Sequence, residues 1–255
     1  SKVKDKIFYK ISKKIKIFKF RGDFCLYPNN VSLKLKKDDI LNIGFSNLKL
    51  KILSTKDNIL CKVIRSGILE NNKGVHLENR NIKLNFLTKK DYEGIRVGKK
   101  YNVKNFALSF TNSTDDIIKF NKLLKKEKKI YKIETLRAVR NFESILKKGN
   151  FFLIDRGDLS KDINIENIPL VQRKLFAMKK KYKDKELYVA TNLLESMLEN
   201  SYPSRGEAND IFNSLEMGAN GLVLAAETAI GKYPKNTVQF LKKMIKNFKK
   251  NKIKI

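Results

Sequence analysis

Lys132 and Glu134 stand two residues apart in the run Lys-Ile-Glu, at the end of a short apolar stretch. On a strand that spacing projects both side chains to one face. Downstream, Arg156-Gly157-Asp158 sets a second carboxylate beside a glycine, whose backbone can approach another group closely and offer its N–H. Thr191 adds a hydroxyl after a further apolar run. An ammonium near carboxylates, brought to one place, could neutralise charge on an anionic group. Each piece alone has a plainer reading. A Lys and a Glu on one strand make a salt bridge at a sheet end, Arg-Gly-Asp is a loop, and Thr191 is an ordinary strand residue.

The elements that must position these residues follow a regular rhythm. From residue 84 the pattern predicts helices at about 89–100, 114–127, 136–148, 168–182, 192–199, 205–217 and 234–249. Between them lie short apolar strands at 104–109, 129–134, 151–154, 187–190 and 220–224. Thr88 is placed to N-cap the first helix, and Val238, Leu241 and Ile245 form the packing stripe of the last. Alternating short strands and amphipathic helices predict a parallel sheet with both faces covered.

Residues 1–83 read as a separate β-rich domain, leaving 84–255 to the α/β domain. Phe24, Leu26, Val31, Leu33, Leu35, Ile40, Leu41 and Ile43 come in short runs broken by Pro28-Asn29-Asn30 and Lys37-Asp38-Asp39. Asn47 to Leu53 alternates apolar and Lys residues, as a half-buried strand does, and Cys61-Lys62-Val63-Ile64 predicts another. Asn71-Asn72-Lys73-Gly74 is a turn, and Ile15, Ile17 and Phe20 fit an edge strand.

The formal charge is +30, from 56 basic and 26 acidic residues. Such charge is the footprint of a nucleic-acid partner. However, 47 of the basic residues are Lys and nine are Arg, and they are spread along the chain together with abundant Asn and Ile, as in a low-GC genome. Both readings stay open, RNA as partner or compositional bias. Cys25 and Cys61 predict two reduced, half-buried thiols, and His76, the single histidine, excludes a multi-His metal site. No apolar run reaches the length of a membrane span. The expected location is the cytoplasm or an organelle matrix after loss of a transit peptide. Asn112-Ser113-Thr114 fits a glycosylation sequon but reads as an internal turn.

Residues 64–235 resemble the pyruvate kinase family, from the junction that leaves its small β-domain through the second half of its (β/α)8 barrel. The segment Gly67 to Leu87, beginning Gly-Ile-Leu-Glu-Asn-Asn-Lys-Gly-Val-His-Leu, is similar to the junction. Tyr27-Pro28-Asn29 and Asp38-Asp39-Ile40-Leu41 resemble the later strands of the β-domain. Phe106-Ala107-Leu108-Ser109-Phe110 is similar to the fourth barrel strand, Lys132-Ile133-Glu134 to the fifth, and Asp155-Arg156-Gly157-Asp158-Leu159 to the loop after the sixth. Ala190-Thr191-Asn192-Leu193-Leu194-Glu195-Ser196-Met197 resembles the seventh strand and its continuation. Pro203-Ser204-Arg205-Gly206-Glu207-Ala208 and Glu227-Thr228-Ala229-Ile230-Gly231-Lys232-Tyr233-Pro234 complete the series, in order and in register.

The resemblance implies a partial (β/α)8 barrel and transfer of phosphate from phosphoenolpyruvate to ADP, giving pyruvate and ATP. It implies Lys132 and Thr191 as catalytic residues, Glu134 and Asp158 as Mg²⁺ ligands, and Arg156, Gly157, Asp158 and Thr191 against the substrate. K⁺ is implied too, but the residues that serve it lie in the first three barrel strands, which have no counterpart here. The family's C-terminal domain has none either. Five strands cannot close an eight-stranded barrel, so another polypeptide is expected to complete or cover it. Several positions depart from the family: Thr135 for Asn, Asp155 for Ala, Asn112 for Arg, Asn192 for Gln, and Ala225-Ala226 for Ser-Gly. Asp155 is either an extra ligand or a charge that misplaces Mg²⁺. Two functions follow: a pyruvate kinase-like subunit or portion, or a catalytically inactive scaffold in a large, RNA-containing complex.

Overall fold

The computed structural model describes residues 2–3, 7–44, 48–78, 80, 82 and 84–251. Asn47, at the head of the expected strand, and residues 252–255 lie outside them. The chain divides into two compact units, Ser1–Val97 and Gly98–Ile255.

The first unit is antiparallel. Its strands are β1 (Lys2–Val3), β2 (Ile7–Tyr9), β3 (Lys14–Ile17), β4 (Phe24–Cys25), β5 (Ile40–Ile43), β6 (Leu48–Ser54), β7 (Ile59–Arg65), β8 (Gly67–Leu69) and β9 (Val75–Leu77). Five of them form one sheet in the order β3-β7-β6-β5-β9. Strand β6 carries the expected alternation. Leu48, Leu50 and Ile52 are fully buried, while Lys49 and Lys51 reach out to Glu78 and Asp38. Each such apolar side chain contributes roughly 1.5–3 kcal/mol by leaving water. Ile15 and Ile17 lie on the edge strand β3 as expected, but Phe20 falls beyond it and is exposed.

Two expectations fail here. Val31, Leu33 and Leu35 do not form a strand. Asn29–Lys34 is a 3₁₀ helix, in which the Ser32 hydroxyl donates to the Asn29 carbonyl at 2.6 Å. Cys25 and Cys61 are fully rather than half-buried, and burial pushes the Cys61 thiol up to about 12.

In the second unit all five expected strands are present and parallel. They are β10 (Asn105–Leu108), β11 (Lys128–Ile133), β12 (Phe151–Asp155), β13 (Glu186–Ala190) and β14 (Gly221–Val223), hydrogen-bonded in chain order. The helices are α1 (Lys89–Lys100), which spans the boundary between units, then α2 (Thr114–Leu123), α3 (Leu136–Arg140), α4 (Phe142–Leu146), α5 (Arg156–Asp162), α6 (Ile168–Lys180), α7 (Arg205–Glu216), α8 (Ala226–Ala229) and α9 (Pro234–Asn251). Most starts have local causes. Ser113 and Asp116 form a capping box on α2, Ser204 and Glu207 form one on α7, and Pro169 sits in the first turn of α6.

The sheet's two faces differ in how closely they are covered. Tyr131, Ile133, Phe152, Ile154, Leu187 and Val189 share one face and are all but inaccessible. Phe120 of α2 and Phe142 of α4 pack edge-on against Tyr131 and Phe152. The opposite face is mixed: Ile130, Lys132 and Tyr188 are partly exposed, while Leu153, Asp155 and Ala190 are buried. Among the described residues β10 and β14 each pair on one side only, so the sheet is an open segment of barrel wall.

Candidate active site

In a parallel sheet all strand C-termini emerge at one end, and in (β/α)8 folds that end carries the chemistry. Lys132 near the end of β11, Glu134 just after it, Asp155 at the end of β12 and Thr191 just after β13 gather there. Lys132 Nζ lies 2.6 Å from Glu134 Oε1 and 2.9 Å from Asp155 Oδ2. Burial alone would pull the Lys132 ammonium down, but the carboxylates of Glu134 and Asp155 outweigh it and hold it above its ordinary value. Burial pushes Glu134 up, against the pull of Lys132 and of the Phe110 N–H. That N–H donates to Glu134 Oε2 at 2.5 Å, with Phe110 in the left-handed region at φ 53°. Glu134 Oε1 is buried and, ion pair aside, receives no well-directed hydrogen bond.

Arg156-Gly157-Asp158 is not the expected loop. It is the first turn of α5, entered directly from β12, with the Asp155 side chain capping the N–H of Asp158. Arg156 is held by Asp210 and by backbone carbonyls. Its Nη1 contacts Asp210 Oδ1 and Oδ2 at 2.9 and 2.7 Å, and its Nη2 donates to the Thr191 and Asn192 carbonyls at 2.7 and 3.2 Å. The Gly157 N–H donates to Thr191 Oγ1 at 2.8 Å. Thr191 is held at φ 69° and Asn192 at φ 53°, a conformation that a β-branched residue adopts only under constraint. The two positive-φ residues also explain why the expected helix at 192–199 is reduced to a 3₁₀ turn, Glu195–Leu198. Asp158 Oδ1 is met by Lys161 at 2.7 Å.

Glu134, Asp155 and Asp158 each present a carboxylate oxygen within 4.8 Å of the others. A hard-oxygen donor set containing a buried, under-bonded carboxylate suits Mg²⁺. Asp210, the anchor of Arg156, was beyond sequence reasoning, because the two residues are 54 positions apart on different helices. Two departures from the family meet each other. The Thr135 hydroxyl donates to Asn112 Oδ1, and Thr135 also caps α3 through the Ala138 N–H at 3.0 Å.

A Lys–carboxylate centre at the C-terminal end of a partial (β/α)8 wall is thus the site's class. A profile of the pyruvate kinase barrel domain matches residues 23–238. Curated pyruvate kinases are similar over most of the chain. The Thermotoga maritima enzyme is 35% identical over 221 residues, covering 85% of this chain and 47% of its own. The Corynebacterium glutamicum enzyme is 33% identical over 222 residues, covering 85% and 46%. The Buchnera aphidicola enzyme is 35% identical over 236 residues, covering 89% and 48%. The chain belongs to the pyruvate kinase family, and it spans about half the length of the curated relatives it matches. No helix among the described residues is long and apolar enough to cross a membrane.

Proposed function

We propose that this chain carries the Mg²⁺ and phosphoryl-handling half of a pyruvate kinase site, acting on phosphoenolpyruvate and ADP. The observation that carries the reading is the convergence of Lys132, Glu134, Asp155 and Asp158 at one end of the parallel sheet. In the reaction the enol O–P bond breaks and phosphorus bonds to a terminal phosphate oxygen of ADP. The resulting enolate takes a proton on carbon to give pyruvate. Glu134 and Asp158 would hold Mg²⁺, which when bound offsets charge on the substrate oxygens. Lys132 sets a positive charge beside the moving phosphoryl group. Thr191 helps relay the proton to carbon, its Oγ1 held by the Gly157 N–H. The substrate lies against Gly157, Asp158 and Thr191, while Arg156 fixes the Thr191–Asn192 backbone. K⁺ belongs to the family's chemistry, with no residue of this chain assigned to it.

The half-exposed inner face and the single-sided pairing of β10 and β14 support completion of the barrel by a further polypeptide segment. The buried cysteines Cys25 and Cys61 fit a reducing compartment, cytoplasm or organelle matrix. One observation, the charge of +30, favours a second reading: a non-catalytic scaffold in an RNA-containing complex. A coupled assay for pyruvate, with Mg²⁺, ADP and phosphoenolpyruvate, separates the two when run on the purified chain and on its native assembly. Mg²⁺-dependent pyruvate formation supports the enzyme. Its absence from the native assembly, together with salt-sensitive RNA binding, supports the scaffold.

A further inference from the structure

We propose that Asp155 is a third carboxylate ligand of the divalent-cation site, beside Glu134 and Asp158; this rests on the phosphoryl-transfer reading above and deepens it. Two independent observations lead there. The first is charge. Glu134 is 1% exposed and Asp155 is 7% exposed. Among the described residues the cation paired with both is the single Lys132 ammonium. Lys161 is engaged with Asp158, and Arg156 is committed to Asp210. Ionising both buried carboxylates against one ammonium leaves one negative charge uncompensated, which is strongly unfavourable away from water and which a bound cation would relieve.

The second is hydrogen-bond capacity. Asp155 Oδ1 lies 3.3 Å from Thr191 Oγ1 and 3.4 Å from the Asp158 N–H. Thr191 has one hydroxyl proton, and the Ala190 carbonyl at 2.6 Å is the nearer acceptor. Asp155 Oδ1 therefore keeps one long contact, and Glu134 Oε1, apart from the Lys132 ammonium at 2.6 Å, receives no well-directed hydrogen bond. Glu134, Asp155 and Asp158 each bring one carboxylate oxygen to a common cluster, all within 4.8 Å of one another. An octahedral cation with ligands at about 2.1 Å sets them about 3–4 Å apart, so a small closure makes all three ligands. Lys132 then moves off the carboxylates toward the phosphoryl group.

The test is calorimetric titration of the full chain with Mn²⁺, supported by the electron paramagnetic resonance of bound Mn²⁺. The proteins compared are wild type, Asp155→Ala, Asp155→Asn and Glu134→Gln, each checked for folding by circular dichroism. The isosteric Asp155→Asn keeps an oxygen to cap α5, so it carries the test if Asp155→Ala fails to fold. Wild type is expected to bind one Mn²⁺, Asp155→Ala about tenfold or more weakly, and Asp155→Asn between the two. If both Asp155 variants bind as wild type while Glu134→Gln binds weakly, the third ligand is refuted and the two-carboxylate site stands. If wild type itself binds no Mn²⁺, the cation site falls, and the role of Asp155 with it.

Discussion

Replacing Lys132 with Met removes the ammonium that stands 2.6 Å from Glu134 and 2.9 Å from Asp155, leaving two buried carboxylates against each other. Removing one partner of a buried ion pair costs about 3–5 kcal/mol. The Lys132 side chain is 22% exposed, so water screens part of the interaction, and the low end of that range, about 3 kcal/mol, is the expected loss. A divalent cation can replace the missing charge. At a free concentration one hundredfold above its Kd it restores about 2.7 kcal/mol, so saturating Mg²⁺ should nearly rescue the variant. The gain should exceed that of wild type, in which the ammonium competes for the same oxygens. Urea unfolding followed by circular dichroism, with and without Mg²⁺, reads both effects, since the chain lacks tryptophan. An unchanged midpoint without metal, or equal stabilisation of wild type and Lys132→Met by Mg²⁺, would refute the picture of one charge balance shared by ammonium and metal.

Three further outcomes follow from the same geometry. Asp210→Ala is expected to cost about 1–2 kcal/mol, and Arg156→Ala more, because it also strips the donor from the Thr191 and Asn192 carbonyls; thermal melts rank the two. Ser204→Ala removes half the capping box of α7 and is expected to cost about 1 kcal/mol, read as a lower melting temperature. The Cys61 thiol is raised from 9.0 to about 12, so the folded state keeps its proton where the unfolded state has lost it. Stability from this group is fully present below pH 9 and falls as pH rises toward 12, by about 4 kcal/mol at the limit. The difference between wild-type and Cys61→Ala unfolding free energies should shrink across that window, and a pH-independent difference would show that Cys61 is not the group responsible.

The parallel strands were legible because each is a short apolar run bounded by helix signals, and the helix starts at Ser113 and Ser204 were legible because their caps are local. Strand and site residues that depend on neighbours within a few positions, such as Lys132 and Glu134, could be placed on one face from spacing alone. What failed depended on backbone geometry that apolar periodicity does not report. Val31 and Leu33 alternate as a strand would, yet the segment curls because Ser32 satisfies a local carbonyl. Residues 136–148 read as one helix, but Asn141 interrupts it and donates to the Asn112 carbonyl, 29 positions away. Arg156-Gly157-Asp158 read as a loop because its helix has no leading turn and starts from the last strand residue, Asp155. The positive φ of Thr191 has no sequence signal, since glycine or asparagine is the usual choice there.

The central claim is that Glu134 and Asp158 hold a divalent cation that works with Lys132 on a phosphoryl group. The most direct measurement is the initial rate of Mg²⁺-dependent pyruvate formation by the native assembly containing wild type, Glu134→Gln or Asp158→Asn, at saturating phosphoenolpyruvate and ADP. Loss of about a hundredfold or more in either variant, with circular dichroism unchanged, is the expected result. A native assembly that makes pyruvate at the wild-type rate with either carboxylate neutralised would contradict it.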